Sequence, residues 1–234
     1  MRFEDPLVEA KLIRRYKRFL ADVQLRSGEE ITVHCANAGG LQGISDPGTK
    51  VLLSRTNDPR RKFNHQLEIV YSGRTPIGIH TGRPITVVSE AIRDGLIPEL
   101  AGYATMRRIP RANRIERIDL VLEGNGLRPC YIVVENVTLE KETVARFPDA
   151  KHPQGIEVIE NLTNLVREGN RGMVIFVAQR SDVESFELAD QLDSEYCEAF
   201  RDGVARGVET LCFRARVSRK GIDFEKPLTM SLEN

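Results

Sequence analysis

The sequence predicts a small all-β barrel of the oligonucleotide-binding (OB) type, followed by a mixed-sheet α/β domain. Three observations predict it. The first third of the chain is a run of short alternating segments separated by turn residues. The remainder alternates apolar strands with amphipathic helices. Strand patterning gives way to a helical stretch near residue 83, which divides the chain into 1–83 and 84–234.

The barrel elements follow in order. Residues 7–13 alternate in part. Residues 19–25 alternate more clearly and end in the turn at 26–29, and 30–35 follow at once, so the two read as a hairpin. A glycine-rich loop comes next, from Asn37 through Gly39 and Gly40 to Gly43. It has the freedom to cradle a ligand but lacks the strand-then-helix context of a phosphate-binding loop. Asp46-Pro47-Gly48 turns the chain into residues 50–54, and Asn57-Asp58-Pro59 turns it into 66–71. About five short strands with this punctuation suit an OB barrel, and an SH3-like barrel would read the same way.

The second part reads differently. Residues 87–95 form a helix with a glycine stop, and Pro98 opens a short second one reaching Tyr103. A basic segment follows, holding Arg107, Arg108, Arg111, Arg114 and Arg117 against one acid, Glu116. Residues 118–122 and 131–137 are two buried strands joined by a glycine-containing turn. Residues 154–169 are a helix with Ile156, Ile159, Leu162, Leu165 and Val166 on one face. Residues 173–178 are wholly apolar, as in a strand covered on both faces. A helix over 195–208, with Tyr196, Phe200 and Val204 on its apolar side, and an alternating strand over 211–217 complete a sheet with helices packed on it.

Charge and cysteine usage narrow the function classes. The chain of 234 residues carries 34 basic and 34 acidic side chains, yet they are unevenly placed. Residues 1–118 hold 20 Lys/Arg against 13 Asp/Glu, a net of +7, and the rest carries −7. A basic half points toward a polyanion. Its cations cluster beside aromatic rings. Arg14, Arg15, Lys17 and Arg18 surround Tyr16 and precede Phe19, and Arg60, Arg61 and Lys62 precede Phe63. Such side chains suit a nucleic-acid groove, where cations meet phosphates and rings stack on bases. They equally suit a solvated strand edge. Four scattered cysteines without a CxxC pair argue against a zinc site or a disulfide framework and fit a reducing cytoplasm. No apolar run approaches the roughly 20 residues that span a bilayer, and the first residues do not read as a secretory signal. The expected location is cytoplasmic, without membrane. His34, His65, His80 and His152 show no metal-ligand spacing.

Asp119 and Glu135 interrupt the two central strands. Acids on neighbouring strands are how many metal-dependent phosphodiesterases hold a hard cation through oxygen. They are also how an ordinary sheet edge meets water.

Longer segments carry a resemblance. They are residues 15–23, the His34-Cys35 and Asn37 loop, Pro59-Arg60-Arg61-Lys62, Arg117-Ile118-Asp119, Asn136-Val137-Thr138-Leu139, Phe147-Pro148-Asp149-Ala150 and Gly207-Val208-Glu209. In this order they resemble the sugar fermentation stimulation protein A family over nearly the whole chain. The resemblance implies an OB barrel followed by a domain of restriction-endonuclease-like fold, with non-specific DNA binding and a regulatory role in sugar (maltose) metabolism. It also implies a set of acids and one lysine in the nuclease-like domain. Three of those four positions have changed: Ile109 and Val133 stand where acids belong and Glu135 stands where the lysine belongs, leaving Asp119.

The expectation is therefore a DNA-binding protein whose nuclease-like domain is inactive. DNA contacts are expected at Arg14, Arg15, Lys17, Arg18, Arg60, Arg61, Lys62 and Arg117. The partner is expected to be duplex DNA bound without sequence preference, and a homodimer is compatible with the chain. No cofactor is expected beyond a weak Mg2+ at Asp119 and Glu135. The alternative is a metal-dependent DNA nuclease with an altered acidic site, and a protein-interaction or small-ligand module is a third reading.

Overall fold

The structure, a computed structural model, describes residues 1–56, 58, 60–110 and 117–233. Five strands build the N-terminal barrel: β1 (Val8–Tyr16), β2 (Leu20–Leu25), β3 (Glu30–Cys35), β4 (Lys50–Arg55) and β5 (His65–Ser72). They neighbour one another in the order β3-β2-β1-β4-β5. A short parallel pairing of β3 with β5, with His34 beside Gln66 and Cys35 beside Leu67, closes the ring. This is the OB barrel that the alternating segments predict. Ala10, Leu12, Ala21, Val23, Val33, Val51 and Leu53 fill its interior. A sixth strand, β6 (Thr75–Gly78), pairs antiparallel with β5. Its four residues include Pro76 and Gly78, both poor strand signals.

The second domain begins with α1 (Arg83–Arg93), which starts earlier than its periodicity suggests because its first turn accommodates Pro84. The predicted second helix is a single 3-10 turn over Pro98–Leu100. Next come β7 (Thr105–Arg108), β8 (Leu120–Glu123), β9 (Cys130–Val137), β10 (Leu139–Lys141), β11 (Val144–Phe147) and α2 (Pro153–Arg167). The chain continues through β12 (Arg171–Ala178), β13 (Ser185–Leu188), α3 (Ser194–Ala205), β14 (Glu209–Val217), β15 (Ile222–Pro227) and β16 (Thr229–Ser231). The main sheet runs β15-β14-β12-β9-β8-β7, with β9, β12 and β14 parallel. A smaller sheet runs β10-β11-β13-β16. The predicted strand over 118–122 starts only at Leu120, so Asp119 sits just before β8 rather than inside it. Arg111, Arg114 and Glu116 of the basic segment lie outside the described residues, as do Asn57 and Pro59.

Alternation sends the apolar side chains of the main sheet to both faces. Leu120, Leu122, Ile132 and Ile175 meet Val87, Val88 and Ala91 of α1. Val121, Val133, Val174 and Phe176 meet Leu162 of α2 and Phe200 of α3. The α1 cluster also takes in Leu52 and Ile69 from the barrel wall, so the two domains share apolar contact. Polar contacts reinforce this seam. The Gly78 N–H donates to the Gln179 carbonyl (2.9 Å), and Gln179 Nε2 donates to the Gly78 carbonyl (3.0 Å). A Cβ on Gly78 would lie 2.7 Å from Gln179 Oε1 and 3.0 Å from its Cβ. Gly78→Ala should therefore cost about 1–3 kcal/mol through overpacking, read as a lowered urea midpoint.

The glycine-rich loop, expected to be free to cradle a ligand, is instead filled by a side chain of the second domain. Asp149 Oδ2 accepts from the Leu41 N–H (3.1 Å), and its carbonyl accepts from Gln42 Nε2 (3.1 Å). A Cβ on Gly39 would lie 2.6 Å from Asp149 Oδ1. The glycines admit this close approach. All four cysteines are free and buried, and burial pushes the Cys130 and Cys197 thiols up to about 12, so they do not act as thiolates at neutral pH. Among the described residues, no helix is long and apolar enough to cross a membrane.

Candidate nucleic-acid interface

A cleft of about 840 Å³ opens where the barrel meets the second domain. One wall is His34 of β3 with Arg61, Lys62, Phe63 and His65 from the approach to β5. The facing wall is the start of α1, through Gly82, Arg83 and Thr86, and the end of β7, through Arg108. Ile109 and Pro110 also line it. None of the described lining residues is Asp or Glu. The α1 N-terminus also opens here with no acid in its first turn, so the positive end of its dipole adds to the positive character, although the Gly82 and Arg83 N–H groups already donate to His80.

The cations of the cleft differ in how much charge they have to offer. Arg83 is committed: its guanidinium donates twice to Glu68, whose carboxylate is fully buried. Burial opposes the charged form of Glu68, but hydrogen bonds and charge from Arg83, helped by His80 and Ser54, hold its carboxyl below the usual range. Arg61 donates to the neutral Gln66 (3.2 Å) and Arg108 to Thr86 (3.3 Å). Lys62 Nζ lies 5.6 Å from the centre of the Phe63 ring. Among the described residues none of these three faces a carboxylate in an ion pair, although Asp58 feels the Arg61 charge, so most of their charge remains available to an anion. Burial, with the nearby Arg55 charge, pulls His65 below the usual imidazole range against a weaker pull from Glu29.

The other predicted DNA contacts are dispersed. Arg14 pairs with Asp22 (2.8 Å) across the β1–β2 hairpin and stacks on Tyr16. Arg60 forks onto Asp58 at 2.9 and 3.0 Å. Arg15 turns inward and donates to the carbonyls of Arg18 and Asn37. Lys17 and Arg18 are exposed at the hairpin tip, both with positive φ (49° and 62°). Non-glycine residues in that region cost on the order of 1 kcal/mol or more each, and such strain clusters at functional sites. The turn presents Phe19, whose ring lies parallel to His34, so this tip adjoins the cleft. Arg117, partly buried and also left-handed (φ 56°), precedes Asp119. Sequence reasoning missed Arg83 as a functional residue and gave three cleft histidines no role. His34, His65 and His80 come together only because β3 pairs with β5 and the chain then turns into α1.

The two acids singled out in the central strands each have partners of their own. Asp119 is buried and accepts from the Val134 N–H (2.8 Å). Glu135, on β9, lies 3.5 Å from His152 Nε2 ahead of α2. Among the described residues no three His, Cys, Asp or Glu side chains come together as a metal ion would need.

Comparison with known proteins decides the family. The profile of the sugar fermentation stimulation protein RE domain matches residues 82–221, and that of the SfsA N-terminal OB domain matches residues 13–79. The sugar fermentation stimulation protein homolog of Geotalea uraniireducens is 43% identical over 232 residues, covering 99% of this chain and all of that one. The chain belongs to the sugar fermentation stimulation protein family. Its homolog from Paramagnetospirillum magneticum is 40% identical over 232 residues, with 99% and 98% of the two chains covered. The structure of Pyrococcus furiosus SfsA in complex with Ca2+ superposes with a TM-score of 0.88 at 22% identity, over 99% of this chain and 98% of that one.

Within this family fold, the positions that the resemblance marks for metal chemistry do not fit a hard cation. Ile109 and Val133 pack in one apolar cluster with Ile118, Val121 and Tyr131. Apolar side chains thus occupy two of the expected ligand positions, and a divalent ion there would receive no oxygen from either of them.

Proposed function

We propose that this protein binds DNA in the cleft between its two domains and does not cleave it. One observation carries the reading: the described cleft wall holds Arg61, Lys62 and Arg108 outside any ion pair, and no carboxylate. A surface built that way attracts a polyanion through phosphate contacts and counterion release. The inactive half of the proposal is supported by the apolar Ile109 and Val133 at positions where the resemblance expects acids, both in one apolar cluster, and by Glu135 standing where a lysine would orient water. The relatives' name ties the family to sugar fermentation. A role in regulating sugar (maltose) metabolism, which the family resemblance implies, would be exercised through the DNA bound.

Salt-titrated binding to a labelled oligonucleotide tests the first half. Affinity should fall steeply and linearly in log–log form as salt rises. Absence of binding at low salt would sink the proposal. Incubation of plasmid with Mg2+ or Mn2+ tests the second half, with the wild type expected to match the background of Asp119→Ala. Cleavage lost on Asp119→Ala would establish a nuclease instead.

A further inference from the structure

The cleft holds more rings than phosphate binding needs. Phe63 and the imidazoles of His34, His65 and His80 line it together with the cations. At its rim Phe19 is 49% exposed, and its ring lies nearly parallel to His34, with centroids 6.5 Å apart and planes 8° apart. A large apolar ring held in water on a strained hairpin tip gains nothing for the barrel core. It does offer a face. Lys62 lies against Phe63, which places a cation beside a stacking surface.

These features discriminate between forms of DNA. A B-form duplex presents phosphates outward and keeps its base faces stacked inside, so side-chain rings find no partner unless a base is flipped out. A single strand presents phosphates and base faces together, and proteins that hold one combine a cationic groove with aromatic platforms. Size points the same way. A cleft of about 840 Å³ lies in the range of small-ligand pockets, roughly 300–1,000 Å³. It admits a short run of nucleotides between its walls.

We propose that the cleft takes single-stranded DNA in preference to duplex, with Arg61, Lys62 and Arg108 on phosphates, and with bases on Phe63 and on the Phe19–His34 platform. This deepens the DNA-binding reading and rests on it. The order of binding runs from the cleft outward to the β1–β2 tip, where Lys17 and Arg18 meet the next phosphates.

The test is fluorescence anisotropy of the full chain with one labelled mixed-sequence oligonucleotide, as a single strand and as a blunt duplex, at matched salt. The single strand should bind about tenfold tighter or more. Phe63→Ala should weaken single-strand binding by about tenfold relative to its effect on duplex, the loss expected for one stacked base, and Phe63→Tyr should restore it. Phe19→Ala, at an exposed position whose truncation leaves the core intact, should weaken single-strand binding severalfold. Equal or tighter duplex binding would overturn the inference and leave the DNA-binding reading standing. So would a lack of effect from both phenylalanine variants. Failure of either form to bind at low salt would overturn both.

Discussion

Arg83→Met should destabilise the protein by about 3 kcal/mol, near the lower end of the range for breaking a buried ion pair. The effect comes from what remains. Glu68 is 1% exposed and Arg83 supplies its only cationic side-chain hydrogen bonds among the described residues. Ser54 and Gln66 still donate to Glu68 Oε1, at 2.8 and 3.1 Å, which keeps the loss from being larger. The pH dependence distinguishes this cause from simple loss of packing. In the wild type the Glu68 carboxyl lies below its ordinary 4.5, so its stabilisation is present above about pH 4.5 and is lost as pH falls through the lower folded value. In the variant the carboxyl should titrate higher than in the wild type, because burial, the largest influence on it, is then opposed only by Ser54, Gln66 and the His80 charge. The cost of the substitution is then greatest at neutral pH and fades as pH falls through the variant's value toward that of the wild type. Urea denaturation at neutral and mildly acidic pH should show the gap between wild type and Arg83→Met narrowing on acidification. A gap independent of pH would mean that Glu68 is not the group left exposed to the loss. The double variant Arg83→Met/Glu68→Met should recover most of the stability, since it removes the charge along with its partner.

Much of this architecture is legible in the sequence where a pattern is local. The alternation of residues 19–25 and 30–35 marks β2 and β3, and the apolar run at 173–178 marks the covered centre of the main sheet. The missed strands are short or carry the wrong chemistry. β7 is Thr-Met-Arg-Arg, which reads as a basic loop, and its place at the sheet edge explains why it tolerates that composition. β10 and β16 have three residues each, too few for a period of two to register. The site divides along the same line. The pairing of Arg60 with Asp58 is local, while Arg14 with Asp22 needs the hairpin register and Glu68 with Arg83 needs the turn from β5 through β6 into α1. The resemblance marks Ile109 and Val133 as replaced acids. Only the fold shows that their side chains pack together in one apolar cluster. Histidines at 34, 65 and 80 have no meaningful spacing along the chain. They acquire one when β3 closes the barrel against β5.

Removing the available cleft charges should abolish most DNA affinity, whereas removing the paired ones should not. The triple variant Arg61→Ala/Lys62→Ala/Arg108→Ala takes one or more cations from each wall of the cleft. Without these three charge-assisted hydrogen bonds to phosphate, affinity should fall on the order of a hundredfold or more at moderate salt. The salt dependence gives the sharper reading. Each phosphate left without its cation should reduce the log–log slope by about 0.7 on a single strand or about 0.9 on a duplex, so the triple variant should flatten it by roughly 2 to 3. Arg14→Ala/Arg60→Ala should change the slope by well under 1, because Asp22 and Asp58 already offset those charges in the free protein. Any affinity that this double variant does lose should return on also removing Asp22 and Asp58. The replaced side chains are exposed or partly buried at the surface, so thermal unfolding should remain close to wild type and separate impaired binding from impaired folding. If both variants lost slope equally, DNA would be tracking the general positive charge of the first half of the chain. A loss confined to the triple variant assigns binding to the cleft, where the barrel and the second domain each supply part of the phosphate track.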